Sequence, residues 1–352
     1  MTFRSSKLNP PAASAVDDAS GGDLRPASST LVFYVAVRVA QMAPTLLLVV
    51  LAAFLLLKLA PGDMAQAIAG EAGGGSPEYL ARLRESFGMN QPLPMQLLHY
   101  VGRVLSGDLG FSFRNNMPVT ALIGARLGPT LLLAAAALLI GIPVGVGAGA
   151  LAAARRGSLI ERVIGGVTLT VYATPGFLLG IGLMLIFAVA WHWLPIGGFA
   201  DAYGDDGHWA ATASVARHLV LPALTLGILQ AAVLARFTRG AMLELYSHQH
   251  VRTARAKGLS ARHIASRHVL RNALLPIVTV IGLQTSALLS GAMLVETVFA
   301  WPGLGRLALE ATQQRDFNLL AGLTLCSGAA VVIVNLAVDL LYVVLDPRVR
   351  IR

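Results

Sequence analysis

The chain has 352 residues, of which 55% are hydrophobic and only 13% charged, and its mean hydropathy is +0.67. No single water-soluble core of this size hides so much apolar surface, so the expected solvent is lipid, where about 20 apolar residues form one spanning helix. The formal net charge of +9 then reads as the bias of Lys and Arg towards one membrane face rather than as a nucleic-acid surface.

Residues 1–30 are rich in Pro, Ser, Ala, Gly and Asp without periodicity, the composition of a disordered tail. The apolar run from Val39 to Ala60 exceeds the roughly 7–15 residues of a signal-peptide core, so it reads as a span. Six spans are expected, at about 33–59, 129–153, 163–191, 218–239, 276–298 and 319–345. Pro44, Pro143, Pro175 and Pro222 lie inside or at the entry of spans, which membrane helices tolerate because neighbours satisfy the freed backbone groups. The division is a cytoplasmic tail over 1–30, a first span over 31–60, an extracytoplasmic helical subdomain over 61–128, and a core over 129–352 with spans two to six and a cytoplasmic loop at 241–275.

With the N-terminus in the cytoplasm, 18 of the 27 Lys and Arg residues fall on the inner face, which predicts that both termini are cytoplasmic. Two outer segments are organised. The stretch "YLARLRESFGM" within 61–128 is amphipathic at helical spacing. The stretch "FAWPGLGRLALEATQQRDF" at 299–317 holds a turn signal, Trp301-Pro302-Gly303, and then a short helix. It reads either as a capping or docking element or as an ordinary interfacial aromatic loop.

The most basic stretch is "RTARAKGLSARHIASRHVLRNALLP" at 252–276, with Arg252, Arg255, Lys257, Arg262, Arg267 and Arg271. Gly258 follows helix-forming residues and suits the left-handed position that ends a helix. Ser260 is a good N-cap for a second helix, whose expected apolar stripe is Ala261, Ala265, Val269 and Ala273, with Pro276 opening the fifth span. Positive-inside bias explains the charge but not this order. A helix lying on anionic lipid would favour Phe, Trp or Leu over alanine, so a protein partner is the better reading.

This stretch resembles the cytoplasmic loop signature of importer-type ABC transporter permeases, EAA-x3-G-x9-I-x-LP. Gly258 stands at the motif glycine, Ala254 at its second alanine and Thr253 at its first, while Arg252 replaces the glutamate. His268 replaces the isoleucine, Leu270 matches the leucine, Arg271 replaces the proline, and "LLP" follows at 274–276. These departures look like the variant of the dipeptide, oligopeptide and nickel permease family. "GDLGFSFRNNMPV" at 107–119, "LPALTLG" at 221–227, "ETVFAWPGLGRL" at 296–307 and "DLLYVVLDPRVR" at 339–350 also resemble that family. The likeness runs from about residue 31 to the C-terminus and is closer to the first of two paired permeases.

The resemblance implies an all-α polytopic chain with the type I ABC importer permease fold. It implies that Arg252, Thr253, Ala254, Arg255, Lys257, Gly258, Leu259, Ser260, Leu270 and Arg271 dock on a separate ATPase. It further implies a second permease in a heterodimer, two ATPase subunits that bind ATP and Mg, an extracytoplasmic binding protein, and a di- or oligopeptide substrate. Nickel, or a small solute such as glutathione, fits the same architecture, and a passive channel is the alternative from another class.

Other chemistry is thin. A phosphate-binding loop needs Gly before its Lys, whereas Lys7, Lys58 and Lys257 follow Ser6, Leu57 and Ala256. The lone Cys326 excludes an intramolecular disulfide and reads as a small buried hydrophobe. His248, His250, His263 and His268 lie in or beside the basic stretch. His192, His208 and His218 flank an outer loop with Asp201, Asp205 and Asp206. No catalytic set, cofactor site or metal site is assigned to any of them. Asp339, late in the sixth span, reads as a structural anchor, and Glu296 at the outer end of the fifth as either structural or facing a cavity.

Overall fold

A computed structural model describes residues 27–59, 76, 81, 91–201 and 208–345. Residues 1–26 of the expected tail, the amphipathic segment 79–89 apart from Ala81, Asp205, Asp206 and the basic C-terminus lie outside the described residues, while 27–30, expected in the tail, already belong to the first helix. Helix α1, Ala27–Leu59, is followed by α2, Leu93–Leu105, and a two-stranded antiparallel hairpin. There β1, Phe111–Ser112, pairs with β2, Met117–Pro118. Then come α3, Val119–Ala154, α4, Leu159–Ala173, and α5, Gly176–Met184, which runs on as a π-helical turn Leu185–Ala190. Helix α6 is His208–Leu245 and α7 is Gln249–Ala256. A short α8, Ala261–His263, passes through a π-helical stretch, Ile264–Leu270, into α9, Arg271–Gly291. Finally α10 is Met293–Val298, α11 Leu304–Gln314 and α12 Phe317–Leu345.

Five of these stretches are long and apolar enough to cross a membrane: Ala40–Leu59, Val119–Ala154, Trp209–Leu245, Ala261–Leu288 and Phe317–Leu340. The third expected span, 163–191, is not one straight helix. It divides into α4 and α5, bent by 103°. Thr174 is extended there, with ψ of 127°, because a residue before proline is driven from the helical region, and Pro175, with ψ of 134°, is the non-helical residue that starts the next helix. The second span starts at Val119, about ten residues before its expected boundary. The fifth does not open at Pro276 either, since the helix runs unbroken from Ala261 through that proline.

Helix α6 is the hub. Buried residues make up 67% of its most apolar window, against 11% for α1. Its closest neighbour is α3, and the reason is a glycine stripe. A side-chain carbon on Gly145 would sit 2.7 Å from Leu234 Cβ and 2.8 Å from the Ala231 carbonyl. One on Gly141 would sit 2.8 Å from Gln230 Cβ, and one on Gly149 would overlap the Ala235 carbonyl. Small residues spaced by four bring membrane helices into backbone contact, where dispersion replaces the hydrophobic drive that lipid does not supply. Helix α12 packs on both α1 and α9: Gly328 abuts Val49 and Gly282 abuts Val338. Helix α2 lays Tyr100, Leu97 and Val104 over Phe54 of α1 and Leu325 of α12.

Candidate functional site

The basic stretch folds as the spacing predicts, up to its second helix. Gly258 takes φ +76°. Its N–H donates to the Arg255 carbonyl at 2.9 Å, and the Leu259 N–H reaches back to Ala254 at 3.3 Å. These two bonds satisfy orphan carbonyls at the end of α7. The Ser260 hydroxyl accepts from the His263 N–H at 3.4 Å, as an N-cap should.

The expected alanine stripe is corrected by the π-helical stretch. The buried residues are Ile264, Val269, Ala273 and Ile277, spaced five, four and four, while Ala261 is exposed. One wider turn shifts the register, so the face directed inward begins at Ile264. That face packs against Val251 and Ala254 of α7, Met242 of α6 and Ala153 of α3. Ala254 is itself buried, at 5% exposure. It brings α7 close to the rest of its own chain rather than offering an open surface.

The outer side of this helical hairpin carries the remaining residues. Arg252, Thr253, Arg255, Lys257, Gly258, Leu259, Ser260 and Arg271 are exposed, and Leu270 is half-buried. Arg262 and Arg267 are exposed beside them. Among the described residues none of the six cations pairs with a carboxylate. Arg255 lies 6.0 Å from the Tyr246 ring. The product is an exposed, cationic tip beside a helix that runs on into a membrane-length segment.

The opposite end of the molecule is held by Glu296. This carboxylate is fully buried. It accepts from the Thr130 hydroxyl at 2.9 Å and from the Arg306 N–H at 2.9 Å. Thr130 Oγ1 in turn accepts from the Leu304 N–H at 2.8 Å. Glu296 stands in α10, beyond the apolar span, and burial raises its carboxyl above the usual range against the pull of these donors. The Trp301 indole, wholly buried, donates to the Pro129 carbonyl at 3.0 Å. So "WPGLG" is a packed latch joining α10 and α11 to α3, not an interfacial aromatic loop. Its two glycines are required by space: a side-chain carbon on Gly303 would overlap the Glu296 carboxylate, and one on Gly305 would lie 2.6 Å from Met293 Cα.

Between the two ends, Gln284 of α9 donates to Gln230 of α6 at 2.7 Å, and Gln230 returns a bond to the Gln284 carbonyl at 3.2 Å. Asp339 of α12 faces Arg38 of α1 at 3.5 Å, which ties the two ends of the chain's core together. The histidines form two close pairs, His248 with His250 and His263 with His268, each with rings 5.7 Å apart. His218 lies 3.8 Å from Asp201. Among the described residues no three His, Cys, Asp or Glu side chains gather as metal ligands.

Sequence reasoning missed Thr130, the Gly141–Gly145–Gly149 stripe and the Gln230–Gln284 bridge. The glycine stripe was readable from its spacing of four. The other two pair residues 166 and 54 positions apart, and nothing in a single sequence links them.

The family description "Binding-protein-dependent transport system inner membrane component" matches residues 141–351, and its N-terminal companion matches 31–134. The chain belongs to this family. It is 39% identical to the dipeptide transport system permease protein DppB of Escherichia coli K12, over 89% of this chain and 97% of that one. It is 39% identical to the probable peptide ABC transporter permease protein y4tP of Sinorhizobium fredii, over 84% and 92%. It is also 40% identical to the glutathione transport system permease protein GsiC of Salmonella choleraesuis, over 90% and 98%. An inward-facing structure of the MetNI methionine ABC transporter superposes with a TM-score of 0.50 at 18% identity, covering 64% of this chain and 96% of that chain. That likeness shows the fold, a type I ABC importer permease. The protein is a multi-pass inner-membrane component of an ABC transporter, and membership of that family implies ATPase and binding-protein partners.

Proposed function

We propose that this chain is one of two permeases in an ATP-driven importer that passes di- or oligopeptides handed over by an extracytoplasmic binding protein. The second permease is a homologue, and two separate ATPase subunits bind and hydrolyse ATP with Mg. Both termini and the basic hairpin lie in the cytoplasm, and the Glu296 latch and the segment before α3 lie outside. The observation that carries the reading is the exposed tip of α7 and its turn. With the helix that follows, it presents six exposed cations, none of them paired with a carboxylate among the described residues, on a base of buried packing, so a force applied there moves α9 as a rigid body. Such a coupling lets nucleotide-driven closure of the ATPases bias one of two pore states. Arg252, Arg255 and Lys257 pair with carboxylates on the ATPase, and Gly258 admits its surface closely. The peptide substrate is supported by the dipeptide and peptide permeases among the relatives. Glutathione, itself a small peptide, is the second reading, supported by the glutathione permease at 40% identity.

The test is purification from the native membrane in mild detergent, with mass spectrometry of what accompanies the chain. A second permease and ABC ATPases are expected, and the ATPases should be lost from a Gly258→Glu variant that still reaches the membrane. Recovery of the chain alone at native expression would overturn the reading in favour of a passive membrane protein. Normal peptide uptake by the Gly258→Glu variant would refute the docking role of the hairpin.

A further inference from the structure

A crevice of about 320 Å³ lies between α1, α9 and α12. Its polar lining is Arg38, Gln41 and Thr45 of α1, Thr279 of α9, and Asn335 and Asp339 of α12. On α1 these residues recur at helical spacing, so they form one stripe about 10 Å long at ~1.5 Å per residue. The exposed Leu47, Leu48 and Leu51 occupy the other side of that helix. On α12 the apolar Ile333, 65% exposed, points away from Asn335 and Asp339.

Gln41, Thr45, Thr279 and Asn335 are all exposed within or beside membrane-length helices. Polar groups facing hydrocarbon are costly, and those found within spans gather around water-filled cavities or pathways. The ion pair adds a second constraint. The Arg38 side chain is 39% exposed and that of Asp339 is 22% exposed, so both charges are reachable from the crevice. The crevice opens at the hairpin end of the molecule, since Thr279 lies two turns into α9 and Arg38 precedes the span of α1.

We infer that this crevice is a section of the solute path on the exit side, and that it takes the zwitterionic backbone of a short peptide, with Arg38 facing the carboxylate and Asp339 the ammonium. The inference rests on the peptide-importer reading and names a site for it. One cation beside one anion complements a zwitterion without leaving a charge uncompensated, which neither a bare cation nor a bare anion would achieve. A dipeptide, whose two residues span at most about 7 Å, is short enough for both termini to lie at the crevice end that holds Arg38 and Asp339, with its side chains along the polar stripe. The bidentate geometry of arginine suits a terminal carboxylate.

The experiment uses the whole transporter in inside-out membrane vesicles, with Cys326→Ala as background. Thr279→Cys, Asn335→Cys and Ile333→Cys are each treated with a charged, membrane-impermeant thiol reagent. Thiols at 279 and 335 should react, and the thiol at 333 should be at least about tenfold slower, because the reactive thiolate forms only where water reaches. A free dipeptide at millimolar concentration should slow labelling at 335, and the same dipeptide acetylated at its N-terminus and amidated at its C-terminus should not. In parallel, Arg38→Gln and Asp339→Asn should each lower free-dipeptide uptake about tenfold, the loss of one charge-assisted contact. Thiols at 279 and 335 as inert as that at 333 would overturn the inference and show that lipid or a partner helix fills the crevice. Equal protection by free and blocked dipeptide, or none by either, would overturn the terminal recognition. If the unaltered transporter imports no peptide while 279 and 335 react, the peptide-importer reading fails and the water-filled crevice stands.

Discussion

Glu296 shows how far a single side chain constrains this protein. Its carboxylate has no access to solvent and is matched by the Thr130 hydroxyl and the Arg306 N–H. Replacing it by leucine leaves two buried donors without an acceptor, a loss of about 2–5 kcal/mol. The Glu296→Leu transporter should therefore unfold at a clearly lower temperature in detergent. Glu296→Gln, which keeps one acceptor oxygen, should lose less than half as much. Equal melting of Glu296→Leu and the unaltered protein would refute the latch. Gly258 is the counterpart at the other end, where the constraint is dihedral rather than spatial. It has open space around it but a φ of +76°, a region that costs most side chains about 1–2 kcal/mol. Gly258→Val should therefore distort the turn and reduce peptide uptake, with Gly258→Asn milder and membrane levels of both unchanged. Uptake by Gly258→Val equal to that of the unaltered protein would show that the turn geometry is dispensable.

At the scale of elements, the contact between α3 and α6 decides stability. The glycines that permit it act through the absence of a side chain, so substitution is a steric experiment with a built-in control. Gly145 faces Leu234 and Ala231 at separations no real side-chain carbon keeps, while Gly147, two residues on, meets nothing within 4 Å. Gly145→Leu should force the helices apart and leave little folded protein in the membrane, an overpacking loss of about 1–3 kcal/mol or more. Gly147→Ala should be neutral or slightly stabilising, because alanine is the better helix former. Similar recovery of both variants from the membrane would mean that the close approach does not matter. The π-helical stretch Ile264–Leu270 is the second decisive element. Its wide turn fuses the loop helix to α9 and rotates the apolar face so that Ile264 rather than Ala261 is buried. The hairpin is consequently braced by its own chain, and its charges point outward.

The whole molecule has two ends of different character joined by α3, α6 and α9. One end is a cationic tip, the other a latch of buried hydrogen bonds, and the crevice beside Arg38 and Asp339 opens towards the first. Because the tip's cations have no acidic partner among the described residues, its attraction for an ATPase should be largely electrostatic. Retention of the ATPase during purification should fall as salt rises from about 0.15 to 1 M, where the screening length shrinks from about 8 to 3 Å. Charge reversal by Arg252→Glu with Lys257→Glu should abolish retention even at low salt. Salt-insensitive retention that survives the double reversal would show that the contact is apolar or lies elsewhere.

Several features of this protein were legible in the sequence because they depend on local chemistry. Apolar runs fixed the membrane class and five of the spans to within a few to about fifteen residues at their ends. Glycine and serine placed the turn at 258–260, since left-handed φ and N-capping belong to single residues. The motif text pointed to the family that the relatives confirm. What required the tertiary structure depends on distance rather than spacing. Pro175 was visible, but not whether its neighbours would bend the chain by 103°, because a proline kink in lipid is settled by what packs on either side. Glu296 was visible as an acidic residue near a span, but its burial is created by Thr130 and Arg306 arriving from other helices. Arg38 and Asp339 lie some 300 residues apart, and only the packing of α1 and α12 makes them a pair.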